Sequence, residues 1–271
     1  MPDLFEPLQY AFMQRALVGS LLVGIVCAVV GVLVVLRGLA FLGDAVAHAA
    51  FPGIVIAFLL KTNLIVGGMI AAVFAAVSMG ILSRRATIRE DTAIGVVFSG
   101  MFALGIVLFS GIRQYTGDLL SVLLGNVLAI TPEHLVLGGV TSVVIIAVLW
   151  FWWRELIFVS FDPIGAQAAG ISSARYDIAL LALIGLTVAV AVQLVGIVLV
   201  VAMLVTPAAT ARLLARDMRG FVALAIVVAL VASLVGMWLS YFANAASGGT
   251  IVLVATAEFA VVWAYTQLRR A

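Results

Sequence analysis

The chain has 271 residues, of which 66% are hydrophobic and only 10% charged. A water-soluble protein of this length covers its surface with roughly a quarter of its residues charged, so a soluble fold is excluded and most of the surface must meet lipid. The net charge of +2 is spread over short loops rather than gathered on one face, and it leaves no footprint for nucleic acid.

A helix needs about 20 apolar residues to cross a bilayer. Runs of that kind follow one another at 16–36, 39–60, 64–82, 92–112, 135–153, 178–195, 197–214, 221–242 and 250–267. The expected fold is all-α, a polytopic transmembrane helical bundle of about nine spans, with residues 1–271 forming a single membrane domain. Ahead of the first span, Asp3 and Glu6 stand where a cleavable signal would be basic, so targeting falls to the span itself. That span holds the lone cysteine, Cys27, which reads as a small apolar packing residue. A single thiol forms neither an internal disulfide nor a cysteine metal cage.

Span two contains Gly43-Asp-Ala-Val-Ala-His-Ala-Ala-Phe-Pro-Gly53. Asp44 and His48 are four residues apart, which puts both side chains on one helical face. If the helix starts near Gly38, His48 lies about 15 Å along it at 1.5 Å per residue, close to the midplane. An ionisable group there costs roughly 3 kcal/mol or more and is functional by default. The surrounding alanines leave room for an ion and for close helix packing. Pro52 and Gly53 provide a place where the helix can bend or free a carbonyl. A carboxylate with a neutral imidazole is a partial shell for Mn²⁺, Zn²⁺ or Fe²⁺. Two ligands are too few for a structural site, which usually closes four, but they suit a conduit from which the ion must leave. The other reading, an Asp–His hydrogen bond that holds two helices together, stays open.

Glu90 and Asp91 open span four, where acids favour a helix N-terminus. Leu119 to Ile130 is apolar but too short to cross and contains Gly125 and Asn126, which predicts a re-entrant or interfacial helix. Span five starts on Thr131 as cap, Pro132 at the first helical position and acidic Glu133. His134 belongs to that helix start rather than to chemistry.

The longest cytoplasmic connection, Arg154 to Asp177, carries a helix signature over residues 160–174. Asp162 can cap by accepting backbone N–H bonds, and Pro163 suits the first helical position. Ala166, Ala168 and Ala169 favour helix, Gly170 supplies a left-handed exit, and Ser172 or Ser173 can cap the next helix. Such a helix suits docking into a groove on another protein or serves as a plain connector. Spans six and seven share one apolar stretch, and Gln193 to Gly196 is the turn that divides them; an eight-span alternative stays open there. Glu258, the deep carboxylate of span nine, lines a route, relays a proton, pairs with His48, or bonds to a neighbouring helix.

With the C-terminus placed in the cytoplasm, eleven arginines fall inside; Arg15, Lys61 and Arg113 remain outside. This matches the positive-inside rule. No Walker A loop is present: the sole lysine, Lys61, follows Leu-Leu with no preceding glycine loop to hold phosphates. If transport here uses ATP, another polypeptide supplies it.

In this order the pieces resemble the ABC-3 family, the permease subunits of bacterial manganese, zinc and iron importers. The matching segments are Gly43 to Gly53, Glu90-Asp-Thr-Ala-Ile-Gly95, Phe161-Asp-Pro through Gly170, Val195 to Ala211 and Ser247 to Thr256. The resemblance implies a type II-like ABC importer permease in the bacterial inner membrane, homodimeric or paired, with two cytoplasmic ATPase subunits. It also implies an extracytoplasmic metal-binding protein that delivers the ion. On this view the chain is no enzyme and holds no permanent cofactor, only its cargo of Mn, Zn or Fe. Asp44 and His48 fall along the route, and Asp162, Pro163, Ala166 and Gly170 belong to the coupling helix that receives the ATPase stroke. Glu258 stands where the family usually has a plain apolar residue, so as a metal-pathway group it is tentative. The tail after span nine is short for the family. Two rivals share parts of this pattern. A siderophore or cobalamin permease would show a wide, uncharged path. A secondary transporter or intramembrane enzyme would use Asp44, His48 and Glu258 as a proton or catalytic set.

Overall fold

In a bilayer every backbone N–H and C=O must find its partner within the chain, and the α-helix does this locally. The computed structural model of the protein describes residues 6–85, 88–112 and 127–269, and these residues form helices joined by short turns, with no strand among them. Twelve α-helices occur among the described residues: α1 (Ala11–Arg37), α2 (Ala40–Ala49), α3 (Phe51–Leu59), α4 (Leu64–Arg85), α5 (Glu90–Ser110), α6 (Pro132–Phe151), α7 (Trp153–Phe161), α8 (Pro163–Ala168), α9 (Ser173–Val195), α10 (Ile197–Leu214), α11 (Met218–Ala243) and α12 (Ser247–Leu268). Taking α2 with α3 as one span, nine are long and apolar enough to cross a membrane.

The junction between spans six and seven is resolved in favour of nine. Gly196 takes φ +87° between Val195 and Ile197, a conformation open to glycine and costly for other residues. The apolar run beginning at 178 understates its helix, because α9 starts at Ser173 and includes the polar Arg175 and Asp177 in its first turns. Most of the apolar piece 119–130 lies outside the described residues. Its end, Val127–Ala129, forms a single 3₁₀ turn, with Val127 and Ile130 buried.

The chain divides into two compact units. One comprises residues 1–40, 124–143 and 191–271. In it α1 packs on α10 and α11, and α12 packs on α10 and α11. Membrane helices gain from close van der Waals approach rather than from burying apolar surface, which favours small residues where they cross. Gly31 of α1 accordingly lies against the backbone at Leu204, Gly24 against Ala229 and Ser233, and Gly236 of α11 against the backbone of Ile251. The Ser233 hydroxyl also donates to the Ser20 carbonyl at 3.4 Å.

The other unit comprises residues 41–123 and 144–190. There α3, α4 and α5 pack against one another. Gly53 of α3 and Gly67 of α4 meet so closely that a Cβ on either would collide with the carbonyl oxygen of the other. On its other side α4 receives α9: Gly185 rests on the α4 backbone at Ala72 and Val73, and Gly80 accepts the Leu181 side chain. An Arg84–Asp177 ion pair joins the same two helices near their ends.

Candidate translocation site

Span two is one helix interrupted in the middle. The α-helical geometry stops at Ala49 and resumes at Phe51. Pro52 causes the break, because it lacks the N–H that would bond to the carbonyl of His48. His48 therefore stands on the last turn before the break, and Asp44 lies one turn earlier on the same face. Their neighbours Gly43, Ala45, Val46, Ala47 and Ala49 are buried, which fixes the turn and leaves the two polar side chains directed out of the helix packing.

The two groups are brought together as their spacing predicts. His48 Nε2 lies 3.6 Å from Asp44 Oδ1, with the imidazole 32% and the carboxylate 51% exposed. That gap exceeds hydrogen-bond length, so the pair is not joined by a hydrogen bond. It is close to the separation of two ligands on one ion: donors about 2.1 Å from a metal stand roughly 3.0 Å apart at octahedral angles and 3.4 Å apart at tetrahedral ones. Among the described residues, no group of three His, Cys, Asp or Glu is placed to hold a metal. The pair by itself thus offers two donors on one face.

A neighbour absent from the sequence reading closes the flank of this pair. The His48 ring lies 5.5 Å from Phe102 and 5.9 Å from Phe98, steeply inclined to both. Those two phenylalanines, one turn apart on α5, are nearly parallel. Phe51, buried on the first turn of α3, contacts Phe102 and Phe109 and fills the notch at Gly105, where a Cβ would lie 2.5 Å from its ring. Residues 98, 102, 105 and 109 form one stripe of α5. Their spacing in the sequence is the signal that could have exposed this seam, since aromatic residues there recur at helical period with a glycine between them.

Glu258 lies in α12, in the unit that does not contain Asp44 and His48. Its Oε2 is buried with no hydrogen-bond partner among the described residues. His134 is placed as the sequence predicts: its backbone N–H donates to the Thr131 hydroxyl at 3.3 Å, at the start of α6.

The loop helix is formed as its punctuation predicts. Asp162 Oδ1 accepts from the Gly165 N–H at 2.8 Å, Pro163 begins α8, and Gly170 exits at φ +80°. Ala166 is buried and seats the helix, whereas Asp162, Pro163, Ile164 and Gln167 face outward. Ile164 is 81% and the preceding Phe161 65% exposed, an apolar knob pair on a polar loop. The Gln167 amide donates to the Ser173 hydroxyl at 2.6 Å, tying α8 to the first residue of α9.

A family described as the ABC 3 transport family matches residues 9–266. The chain belongs to that family. Similarity to individual members of the ABC 3 family is extensive. The manganese transport system membrane protein MntC of Halalkalibacterium halodurans is 41% identical over 96% of this chain and 89% of its own length. The chelated iron transport system membrane protein YfeD of Yersinia pestis is 36% identical over 97% of this chain and 89% of its own. Among solved structures, PsaBC from Streptococcus pneumoniae in complex with Fab aligns at a TM-score of 0.85 and 34% identity, over 96% of this chain and 94% of that one. The chain is therefore a multi-pass membrane permease of the ABC 3 family. The expected ABC-3 membership, all-α architecture and permease role agree with these findings.

Proposed function

We propose that this permease carries a divalent transition-metal ion, Mn²⁺, Zn²⁺ or Fe²⁺, across the bacterial inner membrane, and that Asp44 and His48 bind the ion in transit. The convergence of the imidazole nitrogen and the carboxylate oxygen, 3.6 Å apart and both partly exposed, supports this reading, because two donors on one face can share an ion. The break at Pro52 adds a neutral oxygen donor, since the His48 carbonyl has lost its helical N–H. Two or three donors with the remainder supplied by water bind weakly enough to release the ion onward. The manganese and iron systems named for similar proteins support the same class of cargo.

The energy comes from elsewhere. ATP is hydrolysed by a separate cytoplasmic subunit whose groove receives α8, with Ile164 and Phe161 as the apolar anchors. An extracytoplasmic metal-binding protein delivers the ion, a second copy of the permease completes the pathway, and the C-terminus faces the cytoplasm, where the arginine excess lies. Closure of the ATPase pair rocks the helices from outward-open to inward-open, and the permease performs no chemistry of its own.

The decisive experiment reconstitutes the chain with its ATPase in vesicles and follows ATP-dependent uptake of labelled Mn²⁺. Asp44→Ala combined with His48→Ala should bring uptake to the level without ATP. Uptake at the wild-type rate in that variant would end the assignment. Ile164→Asp should leave the Mn²⁺ affinity of the permease unchanged while the ATPase no longer co-purifies with it.

A further inference from the structure

Two of the nine spans found among the described residues, α5 and α12, are the least buried, and α5, which packs on α3 and α4, presents an aromatic stripe toward span two. Phe51 anchors the stripe by filling the Gly105 notch, which fixes where Phe98 and Phe102 stand beside His48. Edge-to-face aromatic contacts are directional, and the His48 ring meets Phe102 at 75° and Phe98 at 60°. The rings therefore constrain both the tilt of the imidazole and the space beside it. Metal-bound imidazoles are usually oriented by a hydrogen bond from the second nitrogen; here a hydrocarbon wall takes part of that task. The same wall offers no donor to an ion and no partner to a water molecule on that flank.

We infer that Phe98 and Phe102 are specificity-determining residues of the ion site, selecting a transition-metal ion bound through His48 over Mg²⁺ and Ca²⁺. This inference rests on the assignment of Asp44 and His48 as the ion's ligands. Mg²⁺ keeps several waters in a near-ideal octahedron, and Ca²⁺ takes six to eight oxygen ligands. Either shell loses oxygen positions on the flank that the two phenyl rings cover. An ion that accepts an imidazole nitrogen loses less on that flank, because His48 itself is presented from it in a fixed orientation. The wall thus penalises the abundant hard ions more than the scarce cargo, without adding a ligand that would hold the cargo too tightly.

The test uses the reconstituted permease–ATPase complex and labelled Mn²⁺ uptake, with excess Mg²⁺ or Ca²⁺ as competitor. Phe98→Ala and Phe102→Ala should raise the apparent KM for Mn²⁺ by roughly tenfold, the scale on which supporting groups of a metal site act, and should make uptake sensitive to both competitors. Phe98→Leu and Phe102→Leu, which keep the flank apolar, should retain resistance to Mg²⁺ and Ca²⁺. Phe102→Tyr keeps the ring but brings an oxygen to the wall, and it should relax discrimination with little loss of protein. Alanine or tyrosine variants that lower uptake while leaving the competition ratios at wild type would overturn the wall and leave only packing. His48→Ala serves as the reference: its inactivity beside unchanged Phe ratios removes the wall alone, whereas its full activity removes the ion site on which the wall depends.

Discussion

Asp44 in α2 and Glu258 in α12 place the same functional group inside the membrane, but in different company. Asp44 faces a histidine one turn away, half of its surface is open, and buried alanines and Val46 steady the helix beneath it. Glu258 has one oxygen sealed off with no hydrogen-bond partner among the described residues. A carboxylate that keeps solvent access beside an imidazole is prepared to gain and lose an ion. One with an unsatisfied buried oxygen costs stability in every state. The difference teaches that depth along a span does not by itself set an acid's surroundings; its neighbours and its opening do.

The comparison can be broken most directly by transport. On the proposed reading, in which Asp44 is a ligand of the ion, Asp44→Asn should lower ATP-dependent Mn²⁺ uptake by at least roughly tenfold, since even supporting groups of a metal site are worth that much. Glu258→Gln should stay within about twofold of wild type, because the amide keeps the shape and loses no partner. Equal losses in the two variants would place both acids on the route. The next effect concerns the helices that carry them. Gly67→Leu forces side-chain atoms between α3 and α4 and should cost about 1–3 kcal/mol or more, read as a lower unfolding midpoint in detergent. Gly249→Ala in α12, where nothing lies within 4 Å of the new methyl, should leave that midpoint level or raise it by up to about 1 kcal/mol through helix propensity. The smallest expected effect is again at Glu258. Replacement by Gln should stabilise by no more than about 1 kcal/mol, because the amide leaves a polar atom unpaired in the same place and removes only the cost of burying a charge, and a clear loss would mean the carboxylate has a partner worth keeping.

Local chemistry made a good part of this molecule legible in advance. The order Asp162-Pro163 followed by alanines and Gly170 specifies where a helix begins and ends, and α8 forms over that interval. Asp44 and His48 stood out because charge inside an apolar run has no cheap explanation, and one helical turn suffices to bring them together. What escaped is what depends on contrast or on distance in the chain. Phe98 and Phe102 sit in a span that is largely apolar beyond its acidic first turn, so nothing in their type separates a residue beside His48 from a lipid-facing one. Arg84 and Asp177 are 93 positions apart and read separately as ordinary loop charges. The Gly53–Gly67 contact is equally hidden, because glycine is frequent across this chain, with 25 in all, and only a few of them mark a crossing.

That crossing has a mechanical consequence. Where two backbones touch, no side chain lies between them to rotate and absorb a shift. A displacement of α4, which α9 grips at Gly80, Gly185 and the Arg84–Asp177 pair, must therefore pass undamped into α3 and arrive at Pro52, one turn from His48. Motion entering at the rim of the protein would thus be felt early at His48, the residue proposed to hold the passenger.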